Sequence, residues 1–284
     1  MPRRAHDRNL AKRHAERAAE RARRKRRRTL IRGVSAGLVA VLGVALILVF
    51  TGNKPSTTSA SPTPAATTSP TPTPTATPTG VACGGTVPAA ASVKKPTFKA
   101  APPMTIDTAK TYLATFVTSC GTFVVQLDAK TAPHTVNSLV FLIEKRFFDG
   151  LTFHRIWKGF VIQGGDPLGN GTGGPGYTTV DAPPANAKYP IGTVAMAKSY
   201  SQPAGAAGSQ FFVVTTETAQ QAKTIQQVLA PGGKGQYTIV GHVVKGLAVI
   251  QRIDALPVLP SQLGANDGPP AHKVYIVKVT VTVA

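Results

Sequence analysis

Arg155 and Gln163 stand eight positions apart within two adjoining runs. The first is Phe147-Phe148-Asp149-Gly150-Leu151-Thr152-Phe153-His154-Arg155-Ile156, and the second is Gly159-Phe160-Val161-Ile162-Gln163-Gly164-Gly165-Asp166-Pro167. A guanidinium is permanently charged and presents a planar fork of donors, while a carboxamide both donates and accepts. Set among Phe, Val and Ile, the pair can hydrogen-bond a polar group beside an apolar surface, and neither side chain is a covalent nucleophile. Patterns that would signal other chemistry do not hold. Gly169-x-Gly171-x-x-Gly174 satisfies a dinucleotide-binding pattern, but Pro175 follows and no helix opens there. Gly208-Ser209-Gln210 lacks the surrounding glycine of a nucleophile elbow. His154, His242 and His272 are widely spaced without a ligand signature, so no metal or other cofactor is expected. His154 reads as a hydrogen-bonded structural residue.

Short strands supply the frame. Tyr112–Val117 and Thr122–Leu127 flank Ser119-Cys120-Gly121, which predicts a hairpin turn. Further strands are expected at Thr152–Ile156, Phe160–Gln163, Thr193–Ala197, Gln210–Thr215, Tyr237–Val243 and Val274–Val281. Val136, Leu139, Val140 and Ile143 recur at helical spacing, predicting a helix from Pro133 to about Phe147 with Thr131 as its cap. A shorter helix is expected at Leu247–Ala255. Many strands, few helices and Gly/Pro-rich loops point to a mainly β, closed antiparallel barrel.

The first half of the chain is organised differently. Residues 1–32 hold fourteen Lys/Arg against three Asp/Glu, so the formal net charge of +20 is concentrated there. No aromatic residue in that segment can stack on bases, and nucleic acid is therefore not an expected partner. Residues 33–50 carry no charge, and eighteen residues of helix span roughly 27 Å, enough for a hydrocarbon core. No A-x-A sequence follows Phe50 closely, which favours an uncleaved transmembrane anchor over a signal peptide. The positive-inside rule then puts residues 1–32 in the cytoplasm and the remainder outside the cell membrane. Residues 51–104 form a Pro/Thr/Ser-rich linker and extension, whose composition up to residue 80 predicts disorder, and residues 105–284 form the folded domain. Cys83 and Cys120 would lie in an oxidising compartment, where a disulfide or two free thiols are both open.

The two runs around Arg155 and Gln163 closely resemble the central motif of the cyclophilin family. Gly169-Asn170-Gly171-Thr172-Gly173-Gly174-Pro175-Gly176-Tyr177 looks like the family's glycine-rich loop, and Gly208-Ser209-Gln210-Phe211-Phe212-Val213 matches a second hallmark. Ala132-Pro133 to Asn137 is also cyclophilin-like, and the resemblance covers roughly residues 111–284. It implies an eight-stranded barrel capped by two helices and peptidyl-prolyl cis-trans isomerase activity without a cofactor. Arg155 and Gln163 would be catalytic. Phe160, Val161, Met196, Phe212 and Ile239 would wall a proline pocket, and Ala197 and Gln210 would contact the peptide. Expected partners are proline-containing polypeptides and, through residues 33–50, membrane lipid; the protein is expected to be a monomer.

Several positions depart from the family pattern. Lys198 stands where cyclophilins usually place Asn, Tyr237 where a His is familiar, and Leu229-Ala230-Pro231-Gly232-Gly233-Lys234-Gly235-Gln236 where many carry an aromatic residue and Leu-Asp-Gly-Lys. Leu229 becomes the candidate for that wall, and low sensitivity to cyclosporin-like inhibitors is implied. The same departures keep open a different class of function, a proline-binding module or surface scaffold with little turnover.

Overall fold

The computed structural model describes residues 77–216, 229 and 236–284. The basic segment, the expected anchor and the linker up to residue 76 lie outside the described residues. Among the described residues no helix is long and apolar enough to cross a membrane.

Eight antiparallel strands close on themselves. They are β1 (Tyr112–Thr118), β2 (Gly121–Leu127), β3 (Thr152–Trp157), β4 (Val161–Gly164), β6 (Thr193–Met196), β8 (Phe211–Val214), β9 (Ile239–Lys245) and β11 (Val274–Val283). The order around the barrel is β3-β11-β1-β2-β9-β6-β8-β4, and β4 pairs back onto β3. Closure leaves no free edge within the ring of eight strands. Three short strands lie outside the ring: β5 (Thr179–Val180) pairs with β7 (Ala206–Ala207), and β10 (Asp267–Gly268) pairs with β3 beyond the point where β11 leaves it. Side chains alternate between faces, so one set fills the interior. Phe116 stacks on Phe123 with centroids 4.8 Å apart, and Phe153 meets Phe211 edge-on at 5.9 Å.

Two helices cap the barrel, α1 (Pro133–Glu144) and α2 (Leu247–Asp254). Thr131 is not the cap of α1. The N-cap is Ala132, with no side-chain cap bond, and the carboxylate of Asp128 accepts the Thr131 N–H at 3.2 Å, which ties Thr131 into the turn before the helix. Nor does α1 run to Phe147. Arg146 turns left-handed (φ 55°), its N–H donates to Ile143 O, and the Phe147 N–H donates to Leu142 O. That pair of bonds is a Schellman stop, and it swings Phe147 into the core.

The extension, described from Thr77 onward, is bonded to the barrel domain, so the folded unit includes residues well before 105. Val81 pairs with Lys273, Asn137 bonds to Pro103 O and to the Thr105 and Ile106 N–H groups, and Phe98 meets Phe141 edge-on at 5.0 Å. Cys83 and Cys120 are joined by a disulfide that pins this segment to the β1–β2 turn. Gly150 lets the extension lie flat, because a Cβ there would fall 2.3 Å from the Ala90 carbonyl carbon.

Candidate active site

Strand register assembles the predicted residues. Arg155 lies opposite Gln163, Gln163 opposite Phe212, Phe212 opposite Ala195, and Ala195 opposite Ile239. These five residues form one row across β3, β4, β8, β6 and β9, polar at one end and apolar at the other. Around the apolar end lies a hydrophobic cluster separate from the barrel interior: Phe160, Val161, Ala195, Phe212, Val214 and Leu229, with Ala187 and Tyr189. Trp157, Ala197, Tyr237 and Ile239 pack against it while keeping some exposure. Phe160 meets Trp157 edge-on at 4.5 Å and Phe212 meets Tyr237 edge-on at 5.3 Å, so the pocket walls are rigid aromatic faces.

Met196 does not belong to this pocket. It is fully buried in the barrel interior, paired with Phe211. The period-two alternation of β6 gives the outer face to Ala195, with Ala197 packing beside it, and turns Met196 inward. Leu229, inferred only from its place in an altered loop, is buried in the pocket cluster.

The polar end is a connected network. The Arg155 Nη1 donates to Gln163 Oε1 at 3.2 Å, Gln163 Nε2 donates to Gln210 Oε1 at 3.0 Å, and Gln210 Nε2 donates to the carbonyls of Gly171 and Gly173 at 3.0 and 2.8 Å. Each amide's orientation is thereby specified. The glycine-rich loop that mimics a dinucleotide site is folded around Asp166, whose buried carboxylate accepts the N–H groups of Leu168, Asn170 and Gly171. Donors that would face a phosphate in a nucleotide site are thus already engaged. Lys198 folds back, its amine 3.4 Å from Gln202 O and 5.6 Å from the Tyr237 ring centroid. The Ala197 N–H donates to Gln210 O at 2.9 Å, closing the loop against β8.

Sequence reasoning missed Asp267, whose carboxylate takes the Arg155 Nε and Nη2 at 2.6 Å each. It also missed Tyr189, whose hydroxyl donates to Tyr237 O at 2.7 Å and holds that ring's backbone beside the pocket. Burial pushes the Tyr189 phenol up to about 12 and raises that of Tyr237 as well. No local pattern marks either residue; each acts on a partner at least 48 positions away. His154 is not hydrogen-bonded: both ring nitrogens are buried without a partner, and burial holds its pKa below the usual histidine value.

The family model described as cyclophilin type peptidyl-prolyl cis-trans isomerase/CLD matches residues 113–281. A peptidyl-prolyl cis-trans isomerase of Helicobacter pylori is 34% identical over 158 residues, 55% of this chain and 88% of that protein. Peptidyl-prolyl cis-trans isomerase B of Streptomyces anulatus is 37% identical over 166 residues, 52% of this chain and 86% of that protein. A crystal structure of a cyclophilin type isomerase from Cryptosporidium parvum aligns with a TM-score of 0.49 at 25% identity, covering 61% of this chain and 98% of that one. The closed barrel, the row from Arg155 to Ile239 and the family match lead to one assignment: the chain belongs to the cyclophilin-type peptidyl-prolyl cis-trans isomerases.

Proposed function

We propose that this isomerase works on exported or surface-bound polypeptides, with Arg155 lowering the barrier to rotation about Xaa-Pro bonds. Resonance holds the amide planar against a barrier of about 18–20 kcal/mol. As the bond twists, the prolyl nitrogen loses conjugation and gains a lone pair that can accept a hydrogen bond. A donor fixed near it is worth more in the twisted state than in the planar one, which is the requirement for catalysis. The observation that carries this reading is the cross-strand row, which sets the Arg155 fork beside a separate apolar cluster whose outer members, Trp157, Ala197, Tyr237 and Ile239, stay partly exposed. The proline ring would seat against Phe160, Val161, Phe212, Leu229 and Ile239. Gln163 and Gln210, held in line by their own bonds, would bind the substrate backbone.

The anchor at residues 33–50 would hold the enzyme, as a monomer, at the outer face of the cell membrane. The Cys83–Cys120 disulfide supports that placement, since such bonds persist in oxidising compartments. A catalytically weak proline-binding module is the rival, favoured by the engagement of two Arg155 nitrogens by Asp267. An isomerisation assay on the full chain and its Arg155→Ala form separates them. Acceleration by the parent that falls about a hundredfold or more in the variant, the usual effect of removing a transition-state donor, supports the enzyme. A folded parent that binds proline peptides without acceleration supports the module. Extracellular protease that cleaves the domain from intact cells would support the proposed topology, and protection of the domain would refute it.

A further inference from the structure

Asp267 lies outside the recognised motifs, 112 positions from Arg155 in sequence. The chain between residues 257 and 271 carries it back over β3 and ties itself off. Ala271 N donates to Pro257 O at 2.8 Å, Leu259 N donates to Pro269 O at 2.9 Å, and the Ser261 hydroxyl donates to Asp267 O. Gly268 permits the close crossing, because a Cβ there would sit 2.2 Å from Leu259 O. β10 then registers Asp267 opposite Trp157 and Gly268 opposite Ile156. Asp267, a residue only 6% exposed, is delivered with its carboxylate against the side of the Arg155 guanidinium.

The donor count gives this contact a meaning. A guanidinium has five N–H groups. Asp267 takes the Nε–H and one Nη2–H, and Gln163 takes one Nη1–H. Among the described residues two remain without a partner, one on each terminal nitrogen. The Trp157 ring, 5.4 Å from the guanidinium carbon, limits tilting of the plane. An arginine without such a partner has a long, rotamer-rich stem and would have to order itself in every turnover.

We propose that Asp267 is the positioning residue of this active site: its side-on, two-point hold aims the two remaining Arg155 donors at the twisting prolyl amide. This rests on Arg155 being the catalytic donor. Preorganisation of that kind acts on the transition state and shows in kcat rather than KM.

The test uses the full chain carrying Asp267→Ala, Asp267→Asn, Arg155→Lys and the Asp267→Ala/Arg155→Lys pair. Asp267→Ala is expected to lower kcat by about tenfold to a hundredfold with KM changed by less than about threefold, a range typical of a misplaced catalytic group. Asp267→Asn, which keeps one acceptor oxygen, is expected to fall between. Arg155→Lys removes the fork, so adding Asp267→Ala to it is expected to cause no further loss. Nuclear magnetic resonance of the Arg155 Nε–H provides a readout that general destabilisation does not mimic: a slowly exchanging signal in the parent, lost in Asp267→Ala while the backbone spectrum persists. Should Asp267→Ala fail to fold, the Asp267→Asn kinetics and signal decide alone. Normal kcat in a folded Asp267 variant, with Arg155→Lys impaired, overturns the positioning role and leaves the Arg155 reading standing. Normal kcat in Arg155→Lys overturns both. Equal losses from Asp267→Ala in the parent and Arg155→Lys backgrounds would mean a structural role only, and also overturn the proposal.

Discussion

Breaking the Cys83–Cys120 bridge at its exposed end changes stability by an amount that can be worked out in advance. Cys120 is buried and Cys83 is exposed, so Cys83→Ser opens the ring without carving a cavity or burying a new hydroxyl. The two residues are 37 positions apart. In the chain-entropy description a loop of that length restricts the unfolded chain by roughly 13 cal/mol/K, or about 4 kcal/mol at room temperature. For a domain of this size each kcal/mol moves the midpoint by about 2–4 °C, so Tm should fall by roughly 8–15 °C. Cys83 also sits left-handed (φ 59°), a conformation that favours glycine. Cys83→Gly should therefore unfold above Cys83→Ser, with about 1 kcal/mol recovered. Thermal denaturation by circular dichroism, with the parent run with and without reductant, measures all three. Isomerase activity of the folded variants should stay within about threefold of the parent, because the row from Arg155 to Ile239 lies on β3, β4, β8, β6 and β9 rather than at the bridged turn, and a remote substitution adds little to the barrier. A midpoint lowered by less than about 2 °C would refute the loop-entropy argument.

Other outcomes follow from contacts at the site. Gly173→Ala puts a Cβ 2.1 Å from Asp166 Oδ1, so the glycine loop must shift, the carbonyls that align Gln210 move with it, and KM should rise with a loss of about 1–3 kcal/mol in unfolding free energy by denaturant titration. Lys198 offers a folded-back amine and no acceptor, so Lys198→Asn should lower KM for Xaa-Pro peptides severalfold; an unchanged KM would refute that role. His154 has its pKa lowered by burial, so between the unfolded value near 6.5 and the lower folded value the unfolded chain binds more protons. Stability should then fall as pH drops through that window, by at most about 1.4 kcal/mol per pH unit for this group, and His154→Phe should lessen the slope in guanidinium titrations at several pH values, the remainder coming from His242, whose pKa burial also lowers. Leu229 provides an aliphatic wall where many relatives offer an aromatic one, so inhibition by cyclosporin should be weak; a submicromolar inhibition constant would refute this.

The residues expected at the site announce themselves in the sequence because their motifs are local. Arg155, Gln163, Phe160 and Phe212 each lie in a short run whose alternation and flanking glycines predict a strand or its end, and the barrel follows from the number and spacing of such runs. Most strand bounds follow from the same alternation, within a residue or two. What a strand pattern does not reveal is which face a given position takes when both faces are apolar. Thr193–Met196 is buried throughout, and a one-residue difference decides whether Met196 or Ala195 faces the pocket; only pairing with Phe211 and Phe212 settles it. The sequence pattern runs past the end of α1 because the left-handed residue at its stop is Arg146, with no glycine to mark it. The extension from Thr77 has no sustained period, as its order comes from a disulfide and single bonds to the barrel rather than from a repeating face. Asp267 is the extreme case. Its role depends on a closed loop laid over β3, and a partner 112 residues away leaves no imprint on the local pattern. Sequence determined the chemistry available and the strands that carry it, since those depend on neighbours along the chain; the tertiary structure alone decided which faces meet and what holds the arginine, since those depend on neighbours across it.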